Sequence, residues 1–218
     1  MSSGRIIHQI YQRLFDQLGP QHWWPGETQF EIIVGAILTQ NTNWKNVEKA
    51  IINLKKAKVL SAQALDRLTE KQIAALIRPS GYFNIKAKRL KNFLSLLFSD
   101  FGGSLKKMER METAQLRKAL LSVNGIGPET ADSILLYAFH KPVFVIDAYT
   151  KRILTRHGLV DEKADYPAMQ SSFEKHIRSD ARLFNEYHAL IVHIGKHFCK
   201  PKAQCDSCPL NRKAYYWA

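Results

Sequence analysis

One carboxylate closes an apolar run. In Val143-Phe-Val-Ile-Asp147-Ala-Tyr149-Thr150-Lys-Arg152, Asp147 follows four apolar residues and precedes a basic segment. A carboxylate fixed between apolar neighbours and a helix N-terminus stabilises a cation that develops beside it. Breaking an N-glycosidic bond makes such a cation, an oxocarbenium-like sugar. The competing reading is a helix N-cap, a place that Asp fills well; a capped carboxylate is also a rigid one, so the two readings coexist. Upstream lies Leu121-Ser-Val-Asn-Gly125-Ile126-Gly127-Pro128-Glu129-Thr130-Ala131. This reads as a helix end, a tight Gly-x-Gly hairpin and a second helix. Glycines there permit positive φ and close approach of another backbone. The exposed N–H groups and the positive end of the following helix suit a phosphate. The alternative is a plain interhelical turn. The apolar residues that flank the hairpin tip the balance toward DNA, with Gly125, Ile126, Gly127 and Thr130 as contacts.

Helices must position these groups. Residues 30–38, 47–54 and 116–123 carry apolar residues at helical spacing, and after Thr130 the residues Ala131, Ile134, Leu135 and Ala138 mark one helix face. Pro25-Gly26, Pro79-Ser-Gly81, Gly102-Gly103, Gly125 to Pro128, Pro142, Gly158 and Pro167 interrupt the pattern. Val143 to Ile146 is strand-like without a partner strand and is expected as an extended connection. An all-α protein of about ten short helices follows. The 218 residues suit one large domain or two small ones. Lys plus Arg number 32 against 19 Asp plus Glu, a formal net charge of +13, which attracts polyanions. The cations are spread through the chain, as on a folded binding face. No stretch approaches a membrane span, and the amphipathic start lacks a cleavage-site pattern. The three cysteines, at 199, 205 and 208, crowd one end, which is no disulfide framework and fits a cytoplasmic protein.

The hairpin VNGIGPETA followed by VIDAYTKRI resembles the helix-hairpin-helix glycosylase superfamily, in its endonuclease III branch. The likeness runs from Phe30-Glu31 through LTQNT (Leu38 to Thr42) and RPSGYFNIKAKRL (Arg78 to Leu90) to the cysteine tail. It implies two helical lobes with a DNA cleft between them. Residues 28–140 would be a six-helix module ending in the hairpin. Residues 1–27 and 141–218 would form the second lobe, with Asp147 and the cysteines. The implied partner is double-stranded DNA with damaged bases, bound by a nucleoid-associated monomer. Gln40 would fill the gap left by a flipped base and Tyr82 would wedge into the opposite strand; helix capping and interlobe packing are the alternatives. Lys86, Lys88, Arg89 and Lys91 form a basic face, in contact with phosphate or merely solvated.

The sequence departs from endonuclease III in two places. That family places a Schiff-base lysine two residues after the second hairpin glycine; here Glu129 stands there, and a carboxylate forms no imine. Lys141 and Lys151 have no spacing that argues for them as substitutes. Trp23-Trp24-Pro25 and Trp44, with Glu129, would build a base pocket, and Trp rings suit a cationic alkylated purine; ordinary core is the alternative for the tryptophans. The combination of WWP, LTQNT and RPSGYFN resembles the 3-methyladenine glycosylases of this branch. The expected function is a monofunctional glycosylase for alkylated purines. A bifunctional glycosylase/lyase for oxidised pyrimidines and a non-catalytic DNA-structure-binding protein are the competitors. In the family four cysteines hold a [4Fe-4S] cluster. Here Cys199, Cys205 and Cys208 match, but Ala214 and Tyr215 stand where the fourth is expected. A cluster with a non-cysteine fourth ligand, a zinc ion completed by His193 or His197, and a vestigial site packed by Tyr215, Tyr216 and Trp217 all remain open.

Overall fold

The computed structural model describes residues 3–211. The fourth-cysteine position and the aromatic residues at 215–217 therefore lie outside the described residues. Every regular element described is helical, and no strand occurs among these residues. In chain order the helices are α1 (Ser3–Leu18), α2 (Gln29–Leu38), α3 (Trp44–Lys56), α4 (Ala62–Asp66), α5 (Glu70–Leu76), α6 (Phe83–Phe101), α7 (Leu105–Glu109), α8 (Thr113–Leu121), α9 (Pro128–Ser133), α10 (Ala148–Arg156), α11 (Tyr166–Glu174) and α12 (Ala181–His197). A 3₁₀ turn, Arg78–Ser80, precedes α6, and α9 runs on into a π-helical turn, Ile134–Ala138. The sequence suggested about ten helices. The extra ones are the five-residue α4 and α7, too short to show a period.

The chain forms two compact units. One is continuous, Pro25–Lys141. The other joins Met1–Trp24 to Pro142–Ala218.

In the continuous unit α2 is buried along nearly its whole length, and it packs on α3, α6 and the π turn. Thr28 caps it, accepting the Glu31 N–H at 3.1 Å. Residues Ala131 to Phe139 are all buried. The sequence pattern predicted one apolar face here. The helix is instead enclosed all round, with Asp132 and Ser133 buried alongside its apolar residues. A charge pair fixes α8 against α9 across the hairpin. Arg117 donates from Nε and Nη2 to the two carboxylate oxygens of Asp132, at 2.7 and 3.1 Å. Asp132 is fully buried, and the planar fork sets the crossing of the two helices in both distance and rotation.

The discontinuous unit packs α1 and α10 against α12, and α1 against α11. The Tyr187 hydroxyl donates to the Ile7 carbonyl at 2.8 Å. Phe144 stacks on Phe173, with centroids 4.0 Å apart and planes at 8°, and meets Phe184 and Tyr187 edge-on. The Val143–Ile146 segment is extended and unpaired by any strand. Its backbone groups are satisfied by side chains of α11. Phe144 N–H donates to Glu174 at 2.9 Å, Gln170 donates to the Phe144 carbonyl at 2.7 Å, and Ile146 N–H donates to the Tyr166 hydroxyl at 3.3 Å. Three side chains thus replace a neighbouring strand and hold the segment that ends at Asp147.

Candidate active site

Asp147 is the N-cap of α10. Its Oδ1 accepts both the backbone N–H and the hydroxyl of Thr150, at 2.7 and 2.8 Å. The cap and the fixed anion are one residue, because two donors on one oxygen leave the carboxylate little rotation. Its side chain is 14% exposed. The other oxygen, Oδ2, lies 3.7 Å from His188 Nε2, an electrostatic approach longer than a hydrogen bond. Burial holds the His188 imidazole below its ordinary range; Asp147 pulls it up and Lys196 pushes it down. Lys196 is also lowered by burial, with Asp147 opposing. His188 and Lys196, both on α12, thus feel the charge of Asp147. Sequence reasoning missed both. The available signal was the polar residues His188, His193 and Lys196 inside a mainly apolar stretch of α12.

Trp23 and Trp24 are half-buried and meet edge-on, with centroids 5.3 Å apart. The Lys196 ammonium sits 5.1 Å from the Trp23 ring centre. Trp23 thus belongs to the same unit as Asp147 and already stacks on a cation. Pro25 is exposed and begins the other unit, which also carries Trp44, half-buried in the first turn of α3.

The hairpin is built more around protein than expected. Gly125 has φ +93°, and a Cβ there would lie 2.4 Å from Arg89 Cγ. The missing side chain makes room for the Arg89 stem. Gly127 is different: its φ is −92° and nothing lies within 4 Å of a Cβ position, so its outer side is open. Ile126 is buried, as is Thr130. The Thr130 hydroxyl accepts from Gln40 Nε2 at 2.8 Å, and the same amide donates to the Gly125 carbonyl at 3.0 Å. Arg89 donates to Gln40 Oε1. Gln40 thus ties the α2 tip to the hairpin and to α6 and caps no helix. Glu129 is exposed on the first turn of α9, where a negative charge is favoured. Lys141 donates to the Met111 carbonyl at 2.9 Å.

Tyr82 follows Gly81, and both have positive φ, +45° and +67°. This sharp turn presents a ring that is 67% exposed, with Ile85 exposed beside it one turn on. Lys88 is on the surface, but Lys86 is not: it is 1% exposed. The basic face expected from the sequence loses this member, because the ammonium finds two carbonyls inside. It donates to Leu38 O at 2.8 Å and to Ser80 O at 2.7 Å. Burial, with the Arg89 charge adding, pushes it down to about 8.

Cys199, Cys205 and Cys208 line one cavity of about 140 Å³, together with Arg156 and His157. His193 and His197, the sequence-based candidates for a fourth ligand, lie elsewhere on α12. His193 Nδ1 is 3.1 Å from Gln21 Oε1, and its ring lies 4.5 Å from that of His197. The histidine on the cavity is His157. Among the described residues no group of three or more His, Cys, Asp or Glu stands close enough to hold a metal ion. Arg156 donates to Cys199 Sγ at 3.3 Å and the Leu210 N–H to Cys208 Sγ at 3.4 Å. Burial raises the Cys208 thiol; the Leu210 N–H opposes this, and Cys199 and Cys205 add to it.

Residues 34–179 match the profile of the HhH-GPD superfamily of base excision DNA repair proteins. The chain belongs to this superfamily. A Methanocaldococcus jannaschii protein assigned by name to the DNA repair glycosylases is 49% identical over 207 residues, 94% of each chain. Endonuclease III of Sulfolobus acidocaldarius is 29% identical, over 86% of this chain and 82% of its own. Among solved structures, the Helicobacter pylori 3-methyladenine DNA glycosylase bound to 1,N6-ethenoadenine is similar at TM-score 0.76 and 32% identity, covering 90% of this chain and 98% of its own. An endonuclease III–DNA complex shares the fold at TM-score 0.82 and 20% identity, over 96% and 94% of the two chains. This HhH-GPD protein is thus an all-α DNA N-glycosylase of base excision repair that acts on damaged DNA. No helix among the described residues is long and apolar enough to cross a membrane.

Proposed function

We propose that the chain is a monofunctional glycosylase that hydrolyses the N-glycosidic bond of flipped-out alkylated purines of the 3-methyladenine type. The observation that carries this reading is Glu129. An exposed carboxylate occupies the first turn of α9, where endonuclease III has its imine-forming lysine. Likeness to the H. pylori 3-methyladenine glycosylase, at 32% identity, supports the substrate class.

The chemistry follows from the geometry of Asp147. The N–C1′ bond breaks and its electron pair leaves with the alkylated base, which is neutral once released. The sugar takes on oxocarbenium character, and the fixed carboxylate of Asp147 stabilises it. A water oxygen then bonds to C1′, and its proton passes to Asp147. The products are a free base and an abasic site with an intact strand. Trp23 and Trp24, in the same unit as Asp147, supply aromatic surface for the base. Gly127, on its open side, accepts the backbone phosphate. Gln40 and Tyr82 enter the duplex as the base leaves it. Gln40 then exchanges its bonds to Gly125, Thr130 and Arg89 for the widowed base.

A structural [4Fe-4S] cluster in the tail completes the proposal. Cys199, Cys205 and Cys208 line one cavity, and thiolates are the ligands that cluster irons favour. Among the described residues the three thiols do not stand close enough to hold a metal ion as they are, so binding would draw them together. Such a group would tie the tail together and takes no part in bond cleavage.

The test is release of free 3-methyladenine from methylated duplex by purified protein and by Asp147→Asn. Asn caps a helix nearly as well as Asp, so the variant should bind abasic DNA normally while excision falls about a hundredfold or more. Incision of the strand, or a borohydride-trapped covalent complex, would instead establish lyase chemistry.

A further inference from the structure

Lys86 carries the furthest inference. Its Nζ bonds the carbonyls of Leu38 and Ser80. Leu38 stands two residues before Gln40, and Ser80 two residues before Tyr82. One buried ammonium therefore joins the roots of two tips that lie 42 residues apart in sequence. We infer that Lys86 is a positioning residue for duplex opening, which sets the spacing between the Gln40 and Tyr82 tips through the carbonyls of Leu38 and Ser80. This rests on the proposal that the two tips enter the duplex.

The physical case begins with cost. Enclosing an ammonium among apolar side chains is unfavourable by several kcal/mol unless its N–H groups are met. An apolar side chain would fill the same volume without that cost, but it would leave two buried carbonyls without these donors and the tips without a link. A charged donor also makes stronger and shorter bonds than a neutral one, so the spacing is stiff. The surroundings match a device for aiming. Ser80 is fully buried, and its hydroxyl donates to the Ile77 carbonyl at 2.8 Å, which fixes the turn that Lys86 grips. Gly81 and Tyr82 then turn outward at positive φ and present the exposed ring. One helical turn after Lys86, Arg89 bonds the Gln40 side chain. The first turns of α6 thus hold the backbone of both tips through Lys86 and the side chain of one through Arg89.

The experiment compares wild type with Lys86→Met, which keeps the stem and removes the donors. Two readouts are needed. In the first, 2-aminopurine is placed opposite a tetrahydrofuran abasic analogue in a duplex, and its fluorescence rise on saturation reports opening. In the second, single-turnover excision of an alkylated base is measured in duplex and in single-stranded DNA, where no opening is required. We expect the fluorescence rise to be lost and the duplex rate to fall about tenfold or more, the scale of a lost charge-assisted bond. The single-strand rate should stay within about twofold. Equal loss on both substrates would make Lys86 a general structural residue and overturn the inference. So would an unchanged duplex rate, or the absence of any fluorescence rise with wild type. If Lys86→Met does not fold, Lys86→Gln, with amide donors on a shorter stem, carries the same comparison. Should wild type excise no alkylated base, the substrate proposal fails by itself, and the 2-aminopurine signal on the abasic analogue still decides the role of Lys86.

Discussion

The two hairpin glycines have different jobs, and a pair of alanine substitutions separates them. Gly125→Ala places a Cβ at φ +93°, 2.4 Å from Arg89 Cγ and 2.8 Å from its Cδ. The backbone conformation costs an L-residue about 1–2 kcal/mol. The clash drives the Arg89 stem away and with it the charged bond to Gln40, worth about 1.5–3 kcal/mol. Together these come to about 2.5–5 kcal/mol, which for a protein of this size lowers Tm by about 5–20 °C. Gly127→Ala meets nothing within 4 Å and keeps an ordinary extended φ of −92°. Its Tm should stay within about 2 °C of wild type, because the smaller unfolded-state entropy offsets the poorer N-cap. Its affinity for duplex DNA should fall, because the new methyl stands on the open side where a phosphate approaches. Thermal unfolding and fluorescence anisotropy on one duplex measure both quantities. A stable Gly125→Ala, or a Gly127→Ala that melts early and binds normally, would refute this division of labour.

Other expectations concern charge and metal. Arg117→Ala strips the fully buried Asp132 of its bidentate partner and should cost about 3–5 kcal/mol in a denaturant titration; Asp132→Asn should restore part of it in the double variant. His188 has its folded pKa below the unfolded value. The unfolded chain therefore binds more protons as pH drops below about 6.5, so stability falls from there until the folded pKa is passed. A urea series across that range should show this slope, and His188→Gln should flatten it. Protein purified without oxygen should contain iron and absorb visible light, and Cys208→Ser should lose both together with thermal stability; a colourless, iron-free wild type would end the cluster proposal.

What the sequence revealed depended on distance along the chain. Asp147 could be read as both a cap and a functional anion because its partner Thr150 is three residues away. The hairpin was legible for the same reason, since glycine and proline act locally. Gln40 was legible as a tip but not as a tie, because its partners lie 85 and 90 residues ahead. Lys86 reads from the sequence as one of a basic face, phosphate-bound or solvated, because a lysine among lysines carries no local sign that two carbonyls wait for it inside. His188 and Lys196 were hidden in a helix whose apolar pattern gave no reason to look at its polar members, and His157 follows the end of α10 with no local sign of the cavity it lines. The enclosure of Ala131 to Phe139 is masked in the sequence by Asp132 and Ser133, whose polarity reads as an outer face.

The discontinuous unit has a consequence for biosynthesis. Helix α1 emerges from the ribosome first, yet the Ile7 carbonyl awaits a hydroxyl 180 residues later, and Arg13 donates to the Pro209 carbonyl 196 residues on. Until then the apolar residues Ile7, Ile10 and Leu14 of the nascent helix lack the α12 surface that covers them. The hairpin and both tips are translated before Asp147 and long before α12. Synthesis thus delivers the residues proposed to grip DNA ahead of those proposed to cut a bond. Long-range closure of this kind is slow, so the unit that carries Asp147 is completed only once α12 has joined α1 and α10.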